Sequence, residues 1–320
     1  MLKKGFLLAM ILLFASAVLF AGGSKDKEEK KQFIQIKSSV LGGTWYAAGS
    51  VWAKLISDNT KYIATNAASP GLTNESITRM LDGTAQLAVV DGLAVNMAVK
   101  GEGEWKKPVT EIRAMFGLWT AIHNIIVLEK SGINDIYGLK GKNVATYVEG
   151  EPDGEAFMEL MAMHGVTPQN TRILRIMKND ATRMMIDGKL DCMVFAFGHG
   201  HANLKELTAS RAIKFIFGDM KHIDPWLKKY PVYYVEKFGK EFAKEDANQF
   251  AGPYFMICLA SMPDEQAYLF TKVWWENYKY VKETLPAGLP WSEPQNNMNG
   301  VPVPIHPGAA KYFKEIGAMK

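Results

Sequence analysis

From residue 33 to about residue 260, apolar runs of strand length alternate with segments whose apolar residues recur at helical spacing. That alternation predicts βαβ units and largely parallel sheets, because a parallel strand pair needs a crossover helix that packs back on the sheet. The first unit is plain: Phe33 to Lys37 reads as a strand and Leu41-Gly42-Gly43-Thr44 as a tight loop. Tyr46 to Ile56 follows as a helix, with Val51, Trp52, Leu55 and Ile56 on one face. Lys61 to Asn66 is expected to form the second strand.

A repeated unit adds a second constraint. Thr78-Arg-Met-Leu-Asp-Gly83 precedes Gln86-Leu-Ala-Val-Val-Asp91, and Thr182-Arg-Met-Met-Ile-Asp-Gly188 precedes Asp191-Cys-Met-Val-Phe-Ala-Phe197. Each copy reads as helix end, glycine cap and buried strand. With strand, loop and helix ahead of both, the pattern points to two similarly wired α/β lobes. Convergence also accounts for one short match, since helix, glycine and strand often follow one another in α/β proteins. The second lobe is expected to begin where Ile125-Ile-Val-Leu128 leaves the aromatic segment Phe116-Gly-Leu-Trp119. The chain is expected to return near Tyr230-Pro-Val-Tyr-Tyr234 or Gly252-Pro-Tyr-Phe-Met-Ile-Cys258, and to finish in helices that include 265–283. This gives residues 33–124 and 240–320 to lobe 1 and 125–239 to lobe 2, with the crossings forming a hinge.

The N-terminus reads as a targeting signal. Lys3 and Lys4 precede an apolar run from Phe6 to Phe20 that is short for a membrane span, and cleavage is expected near Ala21. Residues 22–32 form a charged linker, and no cysteine stands at the cleavage point to carry a lipid anchor. A periplasmic location for an unacylated, monomeric protein follows as the expectation. The net charge of +4 in 320 residues falls to +2 once the two lysines leave, too weak a field to select nucleic acid. Cys192 and Cys258 both lie in apolar runs, where buried free thiols are favoured over a disulfide.

Enzyme signatures are lacking. There is no Gly-x-Ser-x-Gly elbow, His-Glu-x-x-His pair or phosphate-binding Gly-x-x-x-x-Gly-Lys-Ser/Thr loop, and Gly101-Glu-Gly103 lacks a third glycine. The six histidines are scattered. His199 and His201 are expected in a surface loop rather than on a metal, and His306 in a structural role. No cofactor is expected.

Several segments together resemble the TAXI-type solute-binding proteins of tripartite ATP-independent periplasmic (TRAP) transporters. They are Gly42-Gly-Thr-Trp-Tyr-Ala-Ala-Gly49, Asp82-Gly-Thr-Ala-Gln-Leu-Ala-Val-Val90, Ser131-Gly-Ile-Asn-Asp-Ile-Tyr-Gly-Leu-Lys-Gly-Lys142, Asp187-Gly-Lys-Leu-Asp191, and Pro304-Ile-His-Pro-Gly-Ala309 with Tyr312 and Glu315. The resemblance implies a periplasmic-binding-protein fold of type II character, with two α/β lobes joined by a hinge and a cleft between them. It also implies a TRAP-type permease driven by an ion gradient as partner, and glutamate-like amino acids or small carboxylates as ligands. A binding protein of an ATP-driven importer and an exported enzyme on the same scaffold are the competing readings. Two departures stand out. Ser69-Pro-Gly-Leu-Thr-Asn74 replaces a Gly-Gly-Ser-like loop, so Thr73 stands in for the serine. Glu149-Gly-Glu-Pro-Asp-Gly-Glu155 replaces a Gly-Ser-Gly-Thr-type loop that would hold an anion on backbone amides.

The candidate ligand-binding residues follow from cleft-facing loops at strand C-termini. Gly43 lets the backbone approach a ligand, and Thr44 offers a hydroxyl at a helix start, where an ordinary N-cap is the commoner role. Thr73 and Asn74 belong to the second loop. Trp45, Tyr46, Trp119, Tyr147 and Phe197 are candidate walls that could equally be core, and Gly198 continues the loop after Phe197. Asp91, closing an apolar strand, is expected to face the cleft and accept from an amine or hydroxyl. The acids at 149–155 are expected to be mainly a solvated loop near a helix start, ahead of a role as a negative lid over an ammonium or polyol.

Overall fold

In the computed structural model, which describes residues 32–38, 41, 43–68, 73–285, 293–294, 298 and 300–320, strands and helices alternate through most of the chain. The expected signal peptide, all of the charged linker except Gln32, Gly42, and residues 69–72 of the second loop lie outside the described residues. The first half contributes β1 (Phe33–Lys37), α1 (Thr44–Asn59), β2 (Ile63–Ala67), α2 (Thr73–Leu81), β3 (Leu87–Asp91) and α3 (Gly92–Lys100). A long strand, β4 (Ile112–Leu128), leads to β5 (Asn143–Thr146), α4 (Pro152–Met163), β6 (Arg172–Arg175), α5 (Lys178–Ile186), β7 (Cys192–Ala196) and α6 (Ala202–Ser210). Then come β8 (Ile213–Phe215), α7 (Met220–Lys229), β9 (Tyr234–Phe238), the long β10 (Ala247–Leu259), α8 (Asp264–Glu276), α9 (Tyr278–Thr284) and α10 (Pro307–Glu315).

One mixed sheet holds the described strands, in the order β2-β1-β3-β10-β4-β7-β5-β6, with β8 on β4 and β9 on β10. The order is mirrored about its middle. β1 pairs in parallel with β2 and β3, and β5 in parallel with β6 and β7. Each group then meets a long strand antiparallel, β3 against β10 and β7 against β4. The repeated sequence units occupy matching places, with Gly83 at φ 80° and Gly188 at φ 71° ending the helices ahead of β3 and β7. That left-handed turn is the conformation that glycine adopts without a Cβ penalty.

β4 and β10 pass from one half to the other. The near end of β4 pairs with Pro253–Leu259 of β10, and its far end with β7 and β8. Ile125–Leu128 and Phe116–Trp119, read separately in the sequence, are thus parts of one strand. The polar interruption that divided them is accommodated by partners: His123 Nδ1 lies 2.8 Å from the Tyr147 hydroxyl, and Asn124 Nδ2 donates to the carbonyls of Ile122 and Phe197. Two other boundaries shift for local reasons. Strand β2 starts at Ile63 because the Tyr62 amide turns to the Thr60 hydroxyl. The helix expected over 265–283 breaks at Asn277, whose side-chain amide donates to the Val273 carbonyl at 2.8 Å.

Alternation along the strands sends side chains to both faces of the sheet, which gives each half two cores. In the first half Leu87 and Val89 face one core, while Ala88 and Val90 face the other. In the second half Cys192 and Val194 are divided in the same way from Met193 and Phe195. Both cysteines are buried free thiols. Phe116 stacks on Trp274 at 5.2 Å and meets Trp52 edge-on at 5.3 Å. Aromatic pairs of this kind contribute about 0.5–1.5 kcal/mol beyond the area they bury.

Candidate functional site

The parallel strands of both halves end in loops that start helices, and those starts converge. Thr73 and Asp91 come from the first half, where Asp91 ends β3 and caps α3 by accepting from the Ala94 amide at 2.6 Å. From the second half, Glu151 and Pro152 open α4 after β5, and Asp153 lies in its first turn. The proline suits that place because the first helical position has no amide partner to lose. Gly154 lets α4 come this close: a Cβ there would lie 2.8 Å from Cβ of Tyr147.

The two groups meet directly. Thr73 acts on both: its hydroxyl favours the charged form of Asp91 and its backbone amide that of Glu151, so one residue of the first half meets carboxyls from both. Asp153 accepts a short hydrogen bond from Tyr233 and lies 3.8 Å from Nδ1 of His123. His123 is stacked on Phe157 at 5.3 Å. Asp91, His123, Asp153, Tyr233 and Tyr254 line a seam too narrow to admit water. Lys178, at the start of α5, supplies the ammonium of this cluster and donates to the Ala196 carbonyl at 3.3 Å.

Burial sets the electrostatics. Removing the carboxyls from water disfavours their charged forms, and neighbouring carboxylates add repulsion. Asp91 rises to about 7, first through burial and then through Asp153. Glu151 rises to about 8 through burial, Asp91 and Asp153, and Asp153 to about 6 through burial. His123 falls to about 3 through burial, so it is neutral at physiological pH. Burial also lowers Lys178, with Glu151 and Asp153 acting against that shift, and His201 falls to about 3. Tyr147, Tyr233 and Tyr254 are all raised by burial and then by Asp153, which keeps them as hydroxyl donors.

The residues named from sequence divide into groups. Thr73 and Asp91 are in the cluster, and Asn74 lies beside them, 5% exposed, with an amide oxygen that has no partner. Tyr147 reaches it through His123. Trp45, Trp119 and Tyr254 form an aromatic group, with ring centroids 4.6 Å apart for Trp45–Tyr254 and 5.6 Å for Trp119–Tyr254. Thr44 departs from its ordinary reading: Gly43 is the N-cap of α1 without a side-chain cap bond, and Thr44 is already the first helical residue. Tyr46 offers its carbonyl to Asn66, whose amide also meets Ser50 and leaves room only for glycine at position 49. Phe197 is fully buried in a core of the second half and touches the cluster through Lys178, 5.6 Å from its ring centre. Gly198 follows it, with its carbonyl accepting from the His201 amide.

The acidic loop is not simply solvated. Glu149 and Glu155 are exposed, and Glu155 pairs with Arg175 at 2.6 Å. Asp153, however, is buried, because α4 folds it under Tyr233. His123, Lys178, Tyr233 and Tyr254 are therefore members of the cluster that the sequence reading did not name, and Glu151 and Asp153 are members for which it ranked a solvated loop first. Pro152 after a strand was the available signal for Glu151 and Asp153, and a lone histidine inside an apolar strand was the signal for His123. His306, by contrast, has the structural role expected of it, capping α10 and meeting the Met262 carbonyl at 3.0 Å. Among the described residues no group of three or more His, Cys, Asp or Glu is placed to hold a metal ion, and no helix is long and apolar enough to cross a membrane.

Solved structures share this architecture. The TctC solute-binding protein from Polaromonas, determined without ligand, superposes with a TM-score of 0.53 at 12% identity, covering 91% of this chain and 100% of that one. A protein described as a periplasmic transporter gives 0.53 at 11% identity, covering 90% and 94%. The periplasmic aliphatic sulphonate-binding protein SsuA from Escherichia coli gives 0.49 at 12% identity, covering 90% and 84%. At such identities the likeness to the first two is one of fold, that of the periplasmic solute-binding proteins. The sequence itself matches a known family over residues 36–317, nearly all of the described chain, and the protein belongs to the NMT1-like family.

Proposed function

We propose that this protein is an extracytoplasmic solute-binding receptor that captures a small organic solute between its two halves and delivers it to a TRAP-type permease. The observation that carries the proposal is the meeting of Thr73 and Asp91 from one half with Glu151 and Asp153 from the other, at the C-terminal ends of parallel strands. Open α/β sheets bind ligands at those ends. In this reading lobe 1 (33–124 and 240–320) and lobe 2 (125–239) move about β4 and β10, and the solute stabilises the closed form by touching both. Gly43, Thr44, Trp45, Tyr46, Thr73, Asn74, Asp91, Trp119, Tyr147, Phe197 and Gly198 form or support the site, joined by Glu151, Asp153 and Tyr254. The protein acts by binding rather than turnover, as a monomer exported to the periplasm by residues 1–21.

The TAXI-type sequence resemblance favours an ion-gradient-driven partner and puts glutamate and small carboxylates in the first test panel. A thermal-shift screen of the mature chain against amino acids, organic acids, amines and polyols tests the binding step. A solute at a hundred times its Kd stabilises the fold by about 2.7 kcal/mol. Failure of all four classes overturns the receptor reading. Uptake of the hit into vesicles carrying the cognate permease, driven by a sodium gradient without ATP, tests the transporter class; a requirement for ATP contradicts it.

A further inference from the structure

The chemistry at the cleft is one-sided. Asp91 and Asp153 line one seam, Asp153 raises Asp91 and both raise Glu151, whereas Lys178 is the ammonium set against them and His123 is neutral. Helix starts, where a ligand carboxylate would ordinarily sit, are already taken by the protein's own acids. Asp91 accepts from the Ala94 amide at the start of α3, and Glu151 from the Thr73 amide at the start of α2. Asn74, next to Thr73 in the chain, has a buried amide oxygen with no donor. A buried acceptor left unpaired costs about 1–3 kcal/mol, which an N–H or O–H donor would recover. The third observation is aromatic: Tyr254, opposite Asp91 in the sheet, holds Trp45 and Trp119 edge-on at 4.6 and 5.6 Å. Acceptors, carboxylates and π-faces dominate, and positive charge is in short supply.

Resting on the solute-binding reading above, we propose that the solute carries a positively charged nitrogen, a primary ammonium or a guanidinium, that enters among Asp91, Glu151 and Asp153 with its carbon skeleton against Trp45 and Tyr254. Such a group balances the surplus carboxylates and gains from the aromatic faces, where a desolvated cation is worth about 2 kcal/mol. An extended organic cation fits better than a metal ion, because among the described residues no three acidic or imidazole groups are arranged as metal ligands.

A pH signature accompanies it. The groups around the cluster are Asp91 on β3, Thr73 on α2, His123 on β4, Tyr147 after β5, Glu151 and Asp153 at α4, Lys178 on α5, Tyr233 before β9 and Tyr254 on β10, with His201 at α6 behind Lys178. Of these, Asp91 near 7, Glu151 near 8 and Asp153 near 6 titrate around neutrality. At pH 7 the free site retains protons that an entering cation displaces, so binding releases protons and weakens as pH falls from 8 to 6.

Isothermal titration of the mature chain at pH 7.5, in HEPES and in phosphate, tests this with arginine, lysine and putrescine against 2-oxoglutarate and glycerol. The expected result is binding by at least one nitrogen cation and none by 2-oxoglutarate or glycerol. Its heat should differ between buffers because protons are released, and its affinity should be at least 10-fold weaker at pH 6 than at pH 8. Glu151→Gln, at a partly exposed position, should lower cation affinity at least 10-fold with its melting temperature checked alongside, and Asp153→Asn should do the same. Binding of 2-oxoglutarate in place of the cations, or a Glu151→Gln variant with unchanged cation affinity, overturns the inference and leaves the receptor reading standing. Absence of binding by every compound overturns both.

Discussion

Tyr254 stands directly opposite Asp91 in the antiparallel pairing of β3 with β10. A crossing strand thereby delivers an aromatic ring to the carboxyl that ends a parallel strand. The sheet fixes this relationship, since a one-residue slip of β10 would turn Tyr254 to the opposite face from Asp91. The same strand places Gly252 where a Cβ would come within 3.1 Å of the Tyr233 ring, whose hydroxyl holds Asp153. β10 therefore positions groups on both sides of the seam between the halves.

Stability of the free protein should fall as pH rises from 6.5 to 8. Folded Asp91 and Glu151 hold their protons to about 7 and 8, whereas an unfolded carboxyl has released its proton well below this window. The folded state binds more protons there, so raising pH costs stability. His123 and His201 act oppositely but at lower pH: unfolded they protonate near 6.5, and folded they resist to about 3, so their contribution is lost as pH falls below 6.5. Thermal midpoints at half-unit pH steps check the slope, and a flat or rising curve between 6.5 and 8 contradicts it.

Trp45→Ala should separate binding from folding. The indole is only partly buried, so its loss should cost stability less than the roughly 3–5 kcal/mol typical of a core tryptophan. Affinity for the solute should nonetheless drop 10-fold or more, because the proposed solute lies against this ring, which meets Tyr254 edge-on. Denaturant melts and titration of the same preparation give both numbers.

Trp226→Ala should show the reverse emphasis. Trp226 is fully buried, donates to the Ala156 carbonyl at 2.8 Å and stacks on Tyr233 at 5.0 Å. Its removal should cost about 3–5 kcal/mol in denaturant unfolding. Because Tyr233 holds Asp153, the loss should also loosen the acidic cluster.

Gly154→Ala should destabilise by about 1–3 kcal/mol, the usual cost of forcing a methyl into a filled space. The added carbon would meet Tyr147 Cβ at 2.8 Å, a backbone-near contact that does not yield cheaply, and Arg175 Nη2 at 3.0 Å, the far end of a flexible side chain. Retreat of α4 carries Glu151 and Asp153 away from Thr73, so solute affinity should fall with stability. A variant of unchanged stability would show that the helix start is free to shift.

Much of this architecture was legible in the residues. Apolar alternation marked the strands, and the repeated Asp-Gly turns marked Gly83 and Gly188, where a left-handed backbone ends each helix. Asp91 was legible because an acid closing an apolar strand needs a partner. The long strand β4 was harder, since His123 and Asn124 look like a break until Tyr147 and the Phe197 carbonyl arrive from other elements. Glu151 and Asp153 were harder still. Their partners Thr73, Asp91 and Tyr233 lie about sixty to eighty residues away in sequence, and only the converged helix starts turn a hydrophilic-looking loop into a buried cluster.

The most direct measurement is a crystal structure of the mature chain with the compound that raises its melting temperature most. The account predicts density between the two halves, touching Asp91 or Thr73 on one side and Glu151 or Asp153 on the other, with Trp45 or Tyr254 against its carbon skeleton. Density confined to one half, or lying in the surface hollow bounded by Lys37, Glu75 and Arg79, would contradict it.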